Sequence, residues 1–217
     1  MQNVTLDDVR RALDLPRPGR AAQVKLSPRP RAGDVYPLPA DLPTKKAGVL
    51  ILLFPHDEDL YFLLTRRTET VETHKGQISL PGGAQEGNES LRETALRETR
   101  EELHLDHATI EILGEPLTPL HIPVSGFVVT PFVGYTAIRP RAHAAPDEVI
   151  EIIETPLDWI LDDQRIIEEY WERDRFRATV PFFAINGHKV WGATAMMLSE
   201  FKEMLIQAQR EKEKIRS

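Results

Sequence analysis

Two apolar runs, AGVLILLF from Ala47 and LYFLLT from Leu60, stand on either side of the polar, turn-forming Pro55-His56-Asp57-Glu58-Asp59. Runs of this length, bounded by turn residues, predict a buried hairpin of two strands. ATIEILG from Ala108 and FVVTPFVGY from Phe127 predict further strands, and VIEIIET from Val149 alternates acid with aliphatic as a half-exposed strand does. Asn186-Gly187 sits between apolar stretches within residues 181–191 and is a strong hairpin signal.

Helical spacing appears at residues 5–13, where Leu6, Val9 and Leu13 share a face, Thr5 is a candidate N-cap, and Pro16 and Pro18 stop the helix. Ser90 is a second candidate N-cap, with Glu93 completing a capping box and Leu91, Ala95 and Leu103 as the apolar stripe behind it. LDWILD from Leu157 predicts a short helix. A closing amphipathic helix from Ala193 carries Met197, Phe201, Met204 and Leu205 and ends in a Lys/Glu-rich tail expected to fray. Strands interleaved with helices imply an α/β sandwich with a mixed sheet. Three segments are expected: residues 1–44 as a helix and a Pro-rich extended arm, 45–205 as the main domain, and 206–217 as the frayed end. The arm is expected either to wrap the surface or to meet a second copy in a homodimer.

At 217 residues the chain accommodates one well-buried domain with extensions. No apolar run is long enough to span a membrane, and the first twenty residues lack a signal-peptide core, so a cytoplasmic protein is expected. The absence of cysteine excludes disulfides, thiolate catalysis and cysteine zinc sites. A net charge of −7 argues against a surface that coats nucleic acid, although bound cations can still invert the local potential for a polyphosphate.

The densest chemistry lies in residues 83–105, GAQEGNESLRETALRETREELHL. Positions i, i+3 and i+4 share a helix face, so Glu98, Glu101 and Glu102 are aimed at one region of space. Three like charges repel one another unless a hard divalent cation sits among them, and Mg²⁺ or Mn²⁺ takes oxygen ligands of this kind.

With its spacing of Gly83, Glu89, Arg97-Glu98 and Glu101-Glu102, this stretch resembles the Nudix box, G-x5-E-x7-R-E-U-x-E-E-x-G-U, where U is a bulky aliphatic. Every charged position is filled. Thr99 replaces an aliphatic, and His104 stands where the family has a glycine, a helix-capping position that histidine tolerates better than most residues. The resemblance implies an α/β/α Nudix fold and a metal-dependent hydrolase of nucleoside diphosphates linked to another moiety. It implies that the Gly83 carbonyl, Glu98, Glu101 and Glu102 hold Mg²⁺ or Mn²⁺, and that Glu98, Glu148 or Glu151 removes the proton of the attacking water. Arg97 is implied to pair with Glu89 and to fix the acidic face. On a continuous helix the two would be about 12 Å apart, so Glu89 is expected in a loop or first turn that bends back.

Upstream, LLTRRTETVETHKGQISLPGG from Leu63 is similar to the additional signature of the coenzyme A diphosphatase branch of this family. Pro146-Asp147-Glu148-Val149 and Trp191-Gly192-Ala193-Thr194 agree with that branch, and the resemblance covers residues 47–198. Two positions depart from it: Glu72 replaces an arginine and Leu80 a phenylalanine. Candidate substrate contacts are Arg66, Arg67, Lys75, Gln77 and Gly82, with Arg66, Arg67, His74 or Lys75 able to supply the missing cation. Coenzyme A or an acyl-coenzyme A is the implied small-molecule substrate. ADP-ribose or another nucleoside diphosphate derivative is the alternative within enzymes, and a non-catalytic nucleotide sensor the alternative outside them. Simpler roles stand beside these: Gly82 and Gly83 as a sharp turn, Gln77 and Ser79 as the polar side of a strand, and Trp191 as a core aromatic. His74, His121 and His188 lack metal-ligand spacing.

Overall fold

The longest apolar runs form the centre of the sheet as strands β1 (Lys45–His56) and β2 (Asp59–Arg67), which turn through Asp57 at a φ of 53°. The structure is a computed structural model and describes residues 3–30, 44–68, 76–105, 109–173 and 176–216. β1 has two dry faces: Val49, Ile51 and Leu53 enter one apolar cluster, and Leu50, Leu52 and Phe54 enter another. Successive strand residues point to opposite faces. A run that is apolar throughout therefore needs cover on both sides.

Helix α3 (Leu91–Leu103) supplies that cover on the even side through Ala95 and Leu103. On the odd side it comes from α1 (Leu6–Asp14), through Val9, Ala12 and Leu13, and α4 (Gly192–Arg216), through Leu198, Phe201, Met204 and Leu205. β7 (Phe127–Tyr135) runs parallel to β1, from Lys45 opposite Phe127 to Leu53 opposite Tyr135. The other pairings of this sheet are antiparallel: β3 (Ile78–Ser79) and β8 (Val149–Pro156) on β2, β4 (Gly82–Ala84) on β1, and β5 (Glu111–Leu113) and β6 (Leu120–Ile122) on β7. The architecture is the α/β/α sandwich with a mixed sheet.

A second sheet is formed by β9 (Ile166–Arg173), β10 (Phe176–Ile185) and β11 (His188–Trp191). Asn186 and Gly187 adopt φ values of 48° and 80°, the left-handed pair that the two-residue hairpin requires. β9 has no sequence signal of its own, because IIEEYWER repeats apolar and polar residues in twos and fits neither strand nor helix spacing. Its partner β10 imposes the extended conformation through a continuous ladder. LDWILD becomes a single 3-10 turn, Leu157–Ile160, with both end residues buried.

Two expectations at the chain ends need revision. The tract after Pro18 is not extended throughout: α2 (Arg20–Gln23) and a 3-10 turn, Val24–Leu26, bury Ala22, Gln23 and Leu26. These turns pack on the chain's own α4, where the Ser199 hydroxyl donates to the Ala22 carbonyl at 2.8 Å. Residues 31–43 of the expected arm lie outside the described residues. The charged tail also remains helical to Arg216, with Ala208 buried and Lys212 donating to Asp8 of α1 at 2.7 Å. Packing against α1 supplies the order that the tail's composition does not.

Gly48 fixes how closely α3 approaches β1. A Cβ there would fall far inside van der Waals distance of the Leu91 carbonyl oxygen and 3.1 Å from the Ala95 nitrogen, both backbone atoms. Gly48→Ala should therefore cost about 1–3 kcal/mol through forced separation of the helix from the sheet. Thermal denaturation checks this, and an unchanged melting temperature would mean that the layers relax without cost.

Candidate active site

α3 is built to hold carboxylates on one side and core on the other. The Ser90 hydroxyl accepts from the Glu93 N–H at 3.3 Å, and the Glu93 carboxylate accepts from the Ser90 N–H at 2.7 Å, closing the capping box. At the other end His104 takes the left-handed conformation (φ 52°, ψ 36°) expected of the glycine position. Thr99, the other departure from the box, is buried, and its hydroxyl donates back to the Ala95 carbonyl at 2.7 Å. The polar atom introduced into the core is thus satisfied within the helix.

The structure brings together Glu98, Glu102 and Glu148, whose nearest carboxylate oxygens lie within 4.8 Å of one another. Glu102 is 1 % exposed and accepts from the Gly82 N–H at 3.2 Å and from Arg67 at 3.1 Å. Glu148 arrives on a loop that docks on the end of α3: the His143 and Ala145 N–H groups donate to the carbonyls of Leu103 and Glu102, each at 2.9 Å. Those carbonyls are among the unpaired groups that every helix leaves at its C-terminus. Thr68 holds the same loop from β2, donating its N–H to the Glu148 carbonyl and its hydroxyl to that of Asp147.

Burial pushes the Glu102 pKa up to about 7; Arg67 and the Gly82 N–H oppose this, and the charges of Glu98 and Glu148 add to it. Glu98 is likewise raised, first by burial and then by Glu101 and Glu148, against the pull of Arg97. Carboxylates held this close resist ionising together, and a divalent cation removes that conflict. The donor set is all oxygen, which suits Mg²⁺ or Mn²⁺. Gly83 lies directly against the Glu98 carboxylate, where a Cβ would overlap the carboxylate carbon. A side chain at this position would therefore displace the Glu98 carboxylate from its place beside the backbone.

Glu101 is not part of the cluster. It is half exposed and accepts from Arg97 at 2.9 Å. Arg97 connects the acids: it also donates to both oxygens of Glu89 (2.9 and 3.1 Å), to the Ala84 carbonyl (3.1 Å) and to Glu98 (3.0 Å). Glu89 reaches it from the loop before the helix, as the rise of a helix requires, and accepts from the Glu86 N–H and the Thr94 hydroxyl as well. The Arg97 hydrogen bonds, followed by the Glu86 N–H, hold the Glu89 pKa down at about 2.

Glu151 faces away from the cluster, on β8, with Arg66 at 3.8 Å and His188 at 3.3 Å. Arg67, a candidate substrate contact, pairs with Glu102, a contact with no sequence signal because 35 residues separate the two. Gln77 accepts at its carbonyl from the Arg67 N–H at 3.1 Å. Trp191 is half-buried and packs edge-on against Trp171, with ring centroids 4.9 Å apart. Glu72, His74 and Lys75 lie outside the described residues.

Beside the cluster opens a cleft of about 850 Å³ that begins at Arg67, Gly82 and Gly83. Its far part is mainly apolar, with Val24, Pro28, Leu120, Ile122, Met196 and Met197 among its lining residues. α2 and the segment around β6, neither of which carried a functional signal in the sequence, form two of its walls. Trp191 and His121 also line it.

The NUDIX domain model matches residues 44–174, and the chain belongs to the Nudix hydrolase family. It is 38% identical over 157 residues to the uncharacterized Nudix hydrolase NudL of Pectobacterium atrosepticum, covering 72% of this chain and 80% of the relative. It is 34% identical over 164 residues to Nudix hydrolase 22, chloroplastic, of Arabidopsis thaliana, covering 71% of this chain and 53% of that one. Among solved structures, a C. elegans Ap4A hydrolase binary complex superimposes with a TM-score of 0.52 at 15% identity, over 76% of this chain and 99% of the other. A MutT/nudix family protein from Enterococcus faecalis does so with a TM-score of 0.52 at 19% identity, over 79% and 66%. At these identities the structural matches speak for the fold alone. No described helix is long and apolar enough to cross a membrane.

Glu102 gives the metal-free protein a distinctive pH response. The folded chain keeps its proton up to about pH 7, whereas an unfolded chain releases it near 4.5, so stability falls as pH rises through this window. The full effect is about 3 kcal/mol if Glu102 acts alone. Glu102→Gln should flatten the fall and shrink the rise in melting temperature on adding Mg²⁺, as thermal melts with and without chelator between about pH 5 and about pH 8 will show. A fall of undiminished size in the variant would assign it to another group.

Arg97→Ala should release Glu89 and loosen the turn that carries Glu98. The expected result is a lower melting temperature with apparent metal affinity weakened by about 10–100-fold. Glu89 contributes stability above pH 4.5 that is lost as pH falls toward 2, and the variant should lack this acid-side loss. Metal titration of activity and acid melts check the two effects. Wild-type metal dependence with only a higher KM would place Arg97 in substrate contact instead.

Proposed function

We propose that Glu98, Glu102, Glu148 and the Gly83 carbonyl hold Mg²⁺ or Mn²⁺, and that the enzyme hydrolyses the diphosphate of coenzyme A or an acyl-coenzyme A. The observation that carries the substrate reading is the position of the apolar cleft, which opens directly from Gly82, Gly83 and Arg67. A diphosphate at the cluster would leave its non-nucleotide end in that cleft, where a long, uncharged pantetheine arm finds apolar walls. The similarity to the coenzyme A diphosphatase signature supports the same reading.

When bound, the cation supplies charge neutralisation for the diphosphate and acidifies water. The chain's own residues do the rest. Glu98 takes the proton of the water whose oxygen attacks phosphorus, and the bridging P–O bond breaks to release the second phosphate. Glu148 is the alternative base, since its loop places it within the same cluster. Glu151, tied to Arg66 and His188, serves the periphery of the site. Arg67, at the junction of cluster and cleft, provides the cation closest to the scissile diphosphate.

Incubation with a panel of diphosphates in Mg²⁺ and Mn²⁺, followed by product chromatography, tests this reading. Coenzyme A should yield 3′,5′-ADP and 4′-phosphopantetheine, with a specificity constant at least about tenfold above that for ADP-ribose. If ADP-ribose outcompetes coenzyme A, the ADP-ribose reading replaces this one. Tight binding across the panel without any cleavage would make the protein a sensor.

A further inference from the structure

Glu200 lies on α4 and is 0 % exposed. Its carboxylate accepts four hydrogen bonds: from the Gly19 N–H (3.2 Å), the Gln23 side-chain amide (2.9 Å), the Thr118 N–H (3.3 Å) and the Thr118 hydroxyl (2.6 Å). Among the described residues no cation pairs with it. A buried carboxylate is costly unless its lone pairs are filled, and here neutral donors fill them. Its removal would leave the Gly19 and Thr118 N–H groups and the Gln23 amide without this acceptor, so the carboxylate holds in place the segments that carry them.

What the carboxylate joins explains its presence. Gln23 sits in α2 and Thr118 in the segment leading to β6, and both line the cleft. Met196 and Met197, four and three residues before Glu200 on α4, line it as well. Gln23 adds a cross-link by donating to the Thr118 carbonyl at 2.8 Å. Three segments that are distant in sequence therefore meet on one carboxylate placed behind the cleft wall. Glu200 itself does not line the cleft.

We propose that Glu200 is a positioning residue for substrate: it latches the N-terminal segment and the segment around β6 onto α4, and so sets the width of the cleft that receives the non-nucleotide end of the diphosphate. Residues 19–28 thereby become part of the substrate-binding surface. The latch acts on binding of the distal moiety and leaves the carboxylate cluster untouched.

This rests on the diphosphatase reading but not on the identity of the substrate. The test therefore uses whichever member of the diphosphate panel the wild-type enzyme cleaves best. Glu200→Gln keeps the volume but turns an NH₂ group toward donors, and Glu200→Asp keeps the charge but shortens its reach to them; neither change alters a residue that lines the cleft. Both variants should raise KM by about five- to twentyfold, with kcat and the Mg²⁺ concentration for half-activation within about twofold of wild type. If coenzyme A is the substrate, a series of acyl-coenzyme A esters should also lose its chain-length discrimination in the variants. Lower melting temperature with unchanged KM, or a fall in kcat at unchanged KM, would overturn the proposal. Should Glu200→Gln fail to fold, Glu200→Asp alone decides between these outcomes by the same criteria. A panel on which coenzyme A is refused but KM still shifts would overturn the substrate reading and leave the latch standing.

Discussion

The close approach of α3 to the strands beneath it is the constraint on which this structure depends. Gly48 lets the first turn of the helix rest on the backbone of β1, and Gly83 lets β4 lie against the Glu98 carboxylate. On the helix held there, Glu102 is buried, and burial raises its proton affinity above that of a surface glutamate. The same two glycines set packing and chemistry at once.

That arrangement concentrates negative charge in a poorly solvated space, and the protein answers with positions rather than with a matching number of cations. Arg97 engages Glu89, Glu98 and Glu101 together, so that one guanidinium orients three acids while leaving the Glu102 side of the cluster open. Arg67 meets Glu102 from β2, at the border of the cleft. Residual repulsion among Glu98, Glu102 and Glu148 favours a divalent cation.

The cleft follows a different logic. Its end beside the carboxylate cluster is lined by β4, whereas its distal walls are assembled from α2, the segment around β6 and the start of α4. Apolar burial of Leu26 and Leu120 with α4 joins these elements, and buried polar contacts at Gln23, Thr118 and Glu200 add to it. A family fold can in this way keep its chemistry constant while the wall that meets the rest of the substrate varies.

The sequence alone determined the elements whose reason is local. The box glutamates, the Ser90–Glu93 capping box, the Asn186-Gly187 hairpin and the two-sided apolar run of β1 all declare themselves through spacing or turn chemistry, and each has the expected backbone. The pairing of Glu89 with Arg97 was legible too, because a helix cannot bridge that distance. Tertiary structure alone decided which acids converge. Helix periodicity admits both Glu101 and Glu102 to the site, but the tilt of α3 on β1 buries one and leaves the other half exposed, and the docking of residues 143–148 on the helix end brings in Glu148. Arg67 at Glu102, β9 in its sheet and Glu200 behind the cleft are likewise contacts between segments far apart in the chain. Their energies come from burial and pairing that exist only after folding, so no local pattern records them.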